Sequence, residues 1–188
     1  MTTQLRSDET TARRLADRDD PQPRGGEARA ARYVLALARL ALSTIFLWAF
    51  ADKLLGLGHE TAAGKGWLDG GSPTTGFLKA GTKGPLAGLY RSIAGAAWAD
   101  WLFMAGLLGI GLALLLGVGM RFAAGAGALL MLMMWSAVLP PENHVFMDDH
   151  LVYALLLVGL ALVHAGRTLG LGALWERLPL VRRFPALL

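Results

Sequence analysis

The chain contains no cysteine among its 188 residues. It therefore forms no disulfide and offers no thiolate to an iron–sulfur cluster. Charge is also scarce, because Asp, Glu, Lys and Arg together make up 17% of the residues whereas 54% are hydrophobic. An ordinary soluble domain carries more charge and less apolar side chain than this.

Long segments without charge account for this composition. Residues 101–120 carry no charged side chain, and a helix of that length crosses a hydrocarbon core about 30 Å thick at about 1.5 Å per residue. Three further apolar segments follow the same pattern, and one of them contains a single interior charge, Arg39. We therefore predict an all-α integral membrane protein, a four-helix bundle with spans at about residues 33–53, 98–119, 122–139 and 149–166.

The placement of Lys and Arg predicts the orientation of these spans. Of the 18 basic residues, twelve lie in the two tails and in the turn at Arg121, whereas five lie in the long loop between the first two spans. Because cytoplasmic segments are enriched in Lys and Arg, both termini are expected in the cytoplasm. The long loop and residues 140–149 then face outward. The formal charge of +4 is thus a topological signal, and nucleic acid is not an expected partner.

The two tails are expected to lie outside the membrane domain of residues 33–167. Residues 1–32 mix Arg with Asp and Glu and include Pro21 and Pro23, a pattern typical of a disordered segment. The first apolar segment follows this long polar stretch and lacks a cleavage pattern, which does not favour a secretory signal peptide. Residues 168–188 are expected to form a cytoplasmic tail. The preference for Arg over Lys, with abundant Ala and Gly, favours a bacterial inner-membrane protein.

A polar cluster begins the fourth span and contains the candidate catalytic residues Asp149, His150 and Tyr153. His150 and Tyr153 are three residues apart and Asp149 and Tyr153 are four apart, so the three share one helical face. Proton transfer at this edge requires a donor, which an imidazole or a phenol can supply. Asp148 is expected to cap the helix. The alternative is an interfacial Tyr at an ordinary polar helix start.

Arg39 is the one charged residue inside a span, and such residues are functional candidates. One interpretation is that it reaches toward cytoplasmic headgroups, near Glu176. The other is that it lines the bundle on the face of Ser43, Phe46 and Phe50, where it binds the carbonyl of a cofactor or an anionic lipid. On the second interpretation Arg39, Ser43 and Phe46 bind the cofactor.

Asp52 and Lys53 end the first span and are candidates for attracting an anionic substrate. The alternative is an ordinary interfacial ion pair. A metal site is not predicted, because the loop spacing of His144 and His150 is unspecific. Haem is not expected either, since the first three spans contain no histidine and His164 lies about 21 Å along the helix from His150.

Several short sequence motifs, in order along the chain, resemble those of the DoxX family. The match is to its DoxD-like branch, the large subunit of thiosulfate:quinone oxidoreductase. They are the Asp52–Lys53 pair that ends the first span, GWL at 66–68, GSP at 71–73, the segment 84–103 and DDHLVYALLLV at 148–158. The resemblance covers roughly residues 33–167. It implies a four-helix membrane bundle that transfers electrons to the quinone pool.

The expected function is therefore that of a membrane subunit of a quinone-linked oxidoreductase that accepts electrons from thiosulfate or a similar external donor. Quinone is the expected cofactor, and the expected partners are the lipid bilayer and a second redox subunit or another copy of the chain. The alternative is a non-catalytic anchor for a peripheral redox or stress-response enzyme. A small transporter is disfavoured because the apolar interiors of the spans contain no acid and the spans form no interrupted helix pair.

Overall fold

The computed structural model describes residues 25–142 and 144–187, and the described part contains helices and turns but no strand. The long helices are α1 (Gly25–Leu55), α3 (Ala97–Leu116), α4 (Met120–Ala137) and α5 (Asp149–Leu162). The short helices are α2 (Ala87–Ser92), α6 (Gly172–Trp175) and α7 (Pro179–Arg183). Short helical turns also form at Trp67–Asp69, Phe77–Gly81, Ala165–Arg167 and Pro185–Leu187.

Three of these helices, α1, α3 and α4, are long and apolar enough to cross a membrane. Large apolar side chains stand exposed along them, among them Ile45, Leu102, Phe122 and Leu129. Soluble proteins rarely expose apolar surface on this scale, whereas lipid accommodates it. The predicted all-helical architecture and the membrane character of the chain are confirmed.

The fourth predicted span is shorter than expected. Helix α5 has 14 residues, about 21 Å of helix, and does not continue to residue 166. It ends because His164 adopts a left-handed conformation with φ 52°, which a right-handed helix does not accommodate. A separate turn at Ala165–Arg167 follows.

All four long helices contribute to one apolar core. Each helix supplies fully or nearly fully buried side chains, including Leu42, Met104, Met131 and Leu157. Helices α4 and α5 pack along each other most extensively, and α4 also packs on α3. Two glycines permit the closest approaches, since a Cβ at Gly111 would lie 2.7 Å from Leu47 and one at Gly127 would lie 2.9 Å from Leu157.

The long segment between α1 and α3 is folded against the helix ends, and we call residues 56–96 the loop cap. Its helix α2 is anchored by Tyr90, whose hydroxyl donates to the Met133 carbonyl at 3.0 Å and lies 2.6 Å from Ser136 Oγ. Leu78, Tyr90 and Ala137 form a second small core there. Helix α2 therefore packs against the C-terminal end of α4.

The structure describes parts of both predicted tails. Residues 25–32 were expected to be disordered but form the first turns of α1, because Ala28, Ala30 and Ala31 favour helix strongly and Glu27 lies in the first turn. Residues 1–24 lie outside the described residues. The C-terminal segment folds back on the long helices, with the Leu171 amide donating to the Leu116 carbonyl at 2.7 Å.

Candidate functional site

The polar cluster of Asp148, Asp149, His150 and Tyr153, here called the rim cluster, lies at the N-terminus of α5. Asp148 is extended and its Oδ1 accepts a hydrogen bond from the Leu151 amide at 3.2 Å. The predicted cap is therefore present. Acceptors and negative charge are favourable here because the first amides of a helix have no partner inside the helix.

The second oxygen of Asp148 holds the imidazole of His150. Asp148 Oδ2 lies 2.8 Å from His150 Nδ1, and the two side chains are 13% and 20% exposed. Because an ionised carboxylate only accepts hydrogen bonds, this contact keeps the proton of the neutral imidazole on Nδ1. His150 Nε2 is then left as a proton acceptor.

Asp149 has a lesser role than the sequence suggests. Its Oδ1 lies 3.5 Å from His150 Nδ1 and its side chain is 67% exposed. The carboxylate that orients the imidazole is thus Asp148. The sequence signal for this role is the Asp-x-His spacing, which brings the two side chains together when the Asp caps the helix in an extended conformation.

Tyr153 lies one helical turn beyond His150. Its ring is half-buried and packs against the main core. Its hydroxyl has no hydrogen-bond partner among the residues of 25–142 and 144–187, and the imidazole and phenol share a face as predicted. The structure therefore brings together an oriented imidazole and a phenol at an apolar edge.

The loop before α5 is held by hydrogen bonds between its backbone and the side chains of His144 and Trp135. His144 Nδ1 accepts hydrogen bonds from the amides of Phe146 and Met147 at 3.1 and 3.0 Å. Trp135 Nε1 donates to the Phe146 carbonyl at 2.8 Å, and the two rings meet edge to face at 4.9 Å. His144 thus organises the loop itself and, as placed, does not approach His150 as a second ligand would.

A metal ion is compatible with the spacing of the rim cluster, since ligand atoms of Asp148, Asp149 and His150 lie within 4.8 Å of one another. Adjacent carboxylates at a helix start occur without an ion. The capping and orienting contacts already account for Asp148. The geometry gives no independent indication of a metal.

Asp52 binds the backbone of the loop cap. Its oxygens accept from the amides of His59, Glu60 and Thr61 at 3.3, 3.1 and 2.8 Å, and its side chain is buried. Asp100 does the same at the start of α3, accepting from the Thr74 amide and from the hydroxyls of Ser72 and Thr74. In the described structure no hydrogen bond or ion pair connects either carboxylate, or the neighbouring Lys53, to the rim cluster.

Arg39 is completely buried and binds backbone carbonyls. Its Nη1 donates to Leu114 and, at 3.0 Å, to Leu115, while Nη2 donates to Leu169 at 2.8 Å and to Thr168 at 3.4 Å. We call this set of four carbonyls the Arg39 nest. The C-terminal end of a helix favours a cation because its last carbonyls carry partial negative charge.

Arg39 lies inside the bundle on the same buried face as Ser43 and Phe46, as the second interpretation predicts, whereas its binding of a quinone or lipid stays a prediction. The guanidinium does not extend to a headgroup, and Glu176 instead binds Arg167 at 2.6 Å. Ser43 is also occupied, since its hydroxyl donates to the Gly111 carbonyl at 2.9 Å. Phe46 is buried in the main core.

The two halves of the predicted site lie at opposite ends of α5. The nest uses carbonyls that follow the C-terminus of α5, whereas the rim cluster forms its N-terminus, about 20 Å away along the axis. Arg39 therefore lies at the other end of α5 from Asp149, His150 and Tyr153, and a cofactor-binding role for Arg39, Ser43 and Phe46 stays a prediction.

Comparison of the chain with models of protein families, with curated proteins and with solved structures finds no match.

Proposed function

We propose that this chain is the membrane subunit of a quinone-linked oxidoreductase that accepts electrons from thiosulfate or a similar external donor. In this proposal the long helices form a four-helix bundle in the cytoplasmic membrane of a bacterium. Both termini lie in the cytoplasm and the rim cluster faces outward. The resemblance of its sequence words to the DoxX family supports this function.

The observation that carries the proposal is the hydrogen bond of 2.8 Å between Asp148 and His150 at the start of an apolar helix. Reduction of a quinone to a quinol consumes two electrons and two protons. A second redox subunit oxidises the donor and supplies the electrons, since this chain contains no cysteine. His150 transfers protons between water and the membrane edge, because histidine exchanges protons readily near neutral pH.

The quinone head group is proposed to bind beside Tyr153 rather than at Arg39. The hydroxyl of Tyr153 is available to donate to a carbonyl oxygen, whereas both terminal nitrogens of Arg39 already bind carbonyls of the chain. A bound quinone would be the acceptor of the two electrons. The residues of this chain orient it and deliver one proton to the oxygen that faces Tyr153, while the other carbonyl oxygen takes the second proton from water at the membrane edge.

The test is thiosulfate-dependent quinone reduction by the complete complex in proteoliposomes. We expect His150→Gln to lower kcat by about 100-fold, the usual contribution of a positioned proton donor. Asp148→Asn is the sharper variant, because Asn caps a helix as well as Asp but its amide can donate to Nδ1. We expect it to lower kcat by about 10- to 100-fold with the same thermal stability.

The matched control is Asp149→Asn, which removes the neighbouring and mostly exposed carboxylate. We expect it to retain activity within about two-fold, since its oxygen lies 3.5 Å from the imidazole. Equal activity of the Asp148→Asn, His150→Gln and wild-type complexes would contradict a catalytic role for the rim cluster.

A second function, that of a non-catalytic membrane anchor, is favoured because the buried charged side chains bind the backbone. Arg39, Asp52 and Asp100 all bind the backbone of their own chain, as they would in a scaffold. Retention of full activity and of partner co-purification in His150→Gln would select this function.

A further inference from the structure

The C-terminal segment, residues 171–187, is fixed to the end of α3 by one of its sides. The Leu171 amide donates to the carbonyl of Leu116, the last residue of α3, at 2.7 Å. Gly172 packs so closely that a Cβ there would lie 2.6 Å from a backbone carbon of the preceding turn, and Val181 is completely buried. The segment therefore has an inner side that contacts protein and an outer side that does not.

These contacts set the depth of the segment in a bilayer. Helix α3 has 20 residues, about 30 Å of helix, which matches the thickness of the hydrocarbon core. A segment bonded to its last residue lies where the hydrocarbon ends and the headgroups begin. The final turn, Pro185–Leu187, also packs on α4, where Ala186 lies beside the exposed Phe122 and Leu129. The segment thus continues the apolar surface that α4 presents to lipid.

The outer side of the segment carries large apolar side chains. Leu180 is 60% exposed and Phe184 is 51% exposed. The Phe184 amide donates to the Leu180 carbonyl at 3.1 Å, so the two side chains lie one turn apart on the same face. Leu174 and Leu178 are exposed in the turns before them. A surface in water rarely exposes apolar side chains so close together, and their contact with hydrocarbon follows.

Arginines alternate with these apolar side chains along the segment. The exposed arginines are Arg177, Arg182 and Arg183. The one acid of the segment, Glu176, is bound by Arg167 through contacts of 2.6 to 2.9 Å, so it does not neutralise them. The guanidinium of Arg183 lies 5.9 Å from the centre of the Phe184 ring, which keeps a charged and an apolar group together. The outer side therefore combines positive charge with apolar surface.

We propose that the C-terminal segment lies in the plane of the membrane and binds anionic phospholipids of the leaflet that it touches. Its four exposed apolar side chains enter the upper acyl region, and its arginines bind the surrounding phosphates. Leu and Phe interspersed with Arg are typical of segments that lie in the membrane interface. Guanidinium groups bind phosphate oxygens, and each arginine near an anionic surface adds attraction. A bilayer supplies phosphate and hydrocarbon at one depth, which a soluble anion does not.

The first test locates the segment relative to lipid and water in the full chain reconstituted in nanodiscs, where both membrane faces meet water. A fluorophore is attached to the only thiol of Leu180→Cys, of Phe184→Cys or of the control, Ala63→Cys in the loop cap. Phospholipids spin-labelled near the headgroup quench it from the membrane, and iodide quenches it from water. We expect lipid quenching of the two C-terminal positions and none at residue 63, with iodide acting in the opposite order.

The second test measures the headgroup preference with spin-labelled phosphatidylglycerol and phosphatidylcholine, using the fluorophore on Leu180→Cys. We expect phosphatidylglycerol to bind about five-fold more tightly for each arginine in contact with it, and less so at high salt, which screens exposed charges. Arg182→Gln combined with Arg183→Gln is expected to remove most of this preference. Lys65→Gln combined with Lys79→Gln removes the same charge from the loop cap and is expected to retain it.

Quenching of both C-terminal positions by iodide and not by lipid would overturn the proposal, because the segment would then face water. Protection from both quenchers would overturn it too, since protein would then cover the segment. Equal quenching by the two lipids, or equal losses in the arginine and lysine variants, would overturn the headgroup assignment. If the arginine variant does not fold, the salt dependence with the native arginines still decides. None of these measurements depends on quinone reduction.

Discussion

At the scale of single residues, Arg39 shows how one buried charge joins distant parts of the chain. Its guanidinium binds the carbonyl of Leu115 at the end of α3 and that of Leu169 after α5. Glycines allow this approach, since a Cβ at Gly117 would lie 3.0 Å from Nη1 and one at Gly170 would lie 3.1 Å from Nη2. The residue therefore fixes where the C-terminal segment attaches to the long helices.

Replacing Arg39 should destabilise the chain substantially. We expect Arg39→Met to lower the free energy of unfolding by about 3 kcal/mol, because several buried carbonyls lose a charged donor. Arg39→Lys should restore less than half of this loss, since an ammonium lacks the planar fork that reaches both sides of the nest. The measurement is unfolding of the detergent-solubilised protein by denaturant.

The control for Arg39 is Arg177→Met, an exposed arginine of the same C-terminal region. We expect it to change stability by less than about 0.5 kcal/mol. A similar effect of the Arg39 and Arg177 substitutions would show that the nest does not stabilise the fold.

At the scale of elements, the loop cap is held by carboxylates that a helix alone would not favour. Asp52 lies in the last turns of α1, where the helix dipole opposes a negative charge. Three amide hydrogen bonds from residues 59–61 offset that cost. Asp52 therefore stabilises the loop cap rather than α1, the helix in which it lies.

This role predicts a local effect of Asp52→Ala. The amides of His59, Glu60 and Thr61 should exchange hydrogen about 10- to 100-fold faster, because their acceptor is lost and the loop opens at lower free energy. Hydrogen exchange measured by mass spectrometry reports this directly. Asp69→Ala, an exposed acid of the same loop cap, should leave exchange at 59–61 unchanged, and acceleration in both variants would contradict the assignment.

The C-terminal segment is held by an ion pair with a defined pH dependence. The hydrogen bond from Arg167 holds the pKa of Glu176 below its usual value of 4.5. A carboxyl whose pKa is lowered by folding stabilises the fold above its unfolded pKa, and this contribution is lost as the pH falls through the lowered value. Because Arg167 is largely exposed, the contribution is about 1 kcal/mol or less.

We therefore expect wild type to exceed Glu176→Gln in thermal stability above about pH 4.5, with the difference shrinking at more acidic pH. Thermal unfolding between about pH 3 and pH 7 measures it. Glu142 also has a lowered pKa because Lys83 binds it, but both side chains are exposed, so Glu142→Gln serves as the control with little change. A difference for Glu176→Gln that persists undiminished at pH 3 would contradict the ion pair.

The sequence predicts the starts of the helices better than it predicts the contacts at their ends. The starts of α3, α4 and α5 lie within two residues of the predicted spans, because charge is absent from long stretches and polar residues or glycines interrupt them. Helix α1 begins earlier than predicted, since alanine-rich residues 25–32 favour helix despite their charge. The end of α5 depends on the left-handed conformation of His164, which no residue pattern predicts.

The candidate site was predictable only in part for a related reason. Helical spacing correctly places His150 and Tyr153 on one face, because that relation is local. Arg39 and Asp52 make contacts with residues far along the chain or in an irregular loop, as the Arg39 bond to Leu169 shows. Such partners depend on how the helices pack, and no spacing in the sequence encodes them.

At the scale of the whole molecule, the direction of insertion decides whether the rim cluster can meet an external donor. The basic residues favour cytoplasmic tails, and in that proposed orientation residue 145 and the loop cap lie outside. The cysteine-free sequence makes this directly testable, since a single introduced cysteine is the only thiol in the chain. Val145 is 88% exposed in the loop before α5, and Ala173 is exposed in α6.

We expect Val145→Cys to react with a membrane-impermeant maleimide on intact cells, and Ala173→Cys to react only after the membrane is permeabilised. The two positions lie at opposite ends of α5, so a chain that spans the membrane must expose them on opposite sides. Labelling of both cysteines in intact cells would contradict spanning by α5, whose 14 residues are shorter than a typical span. Labelling of Ala173→Cys alone would reverse the orientation, placing the rim cluster in the cytoplasm and removing the external donor from the proposed reaction.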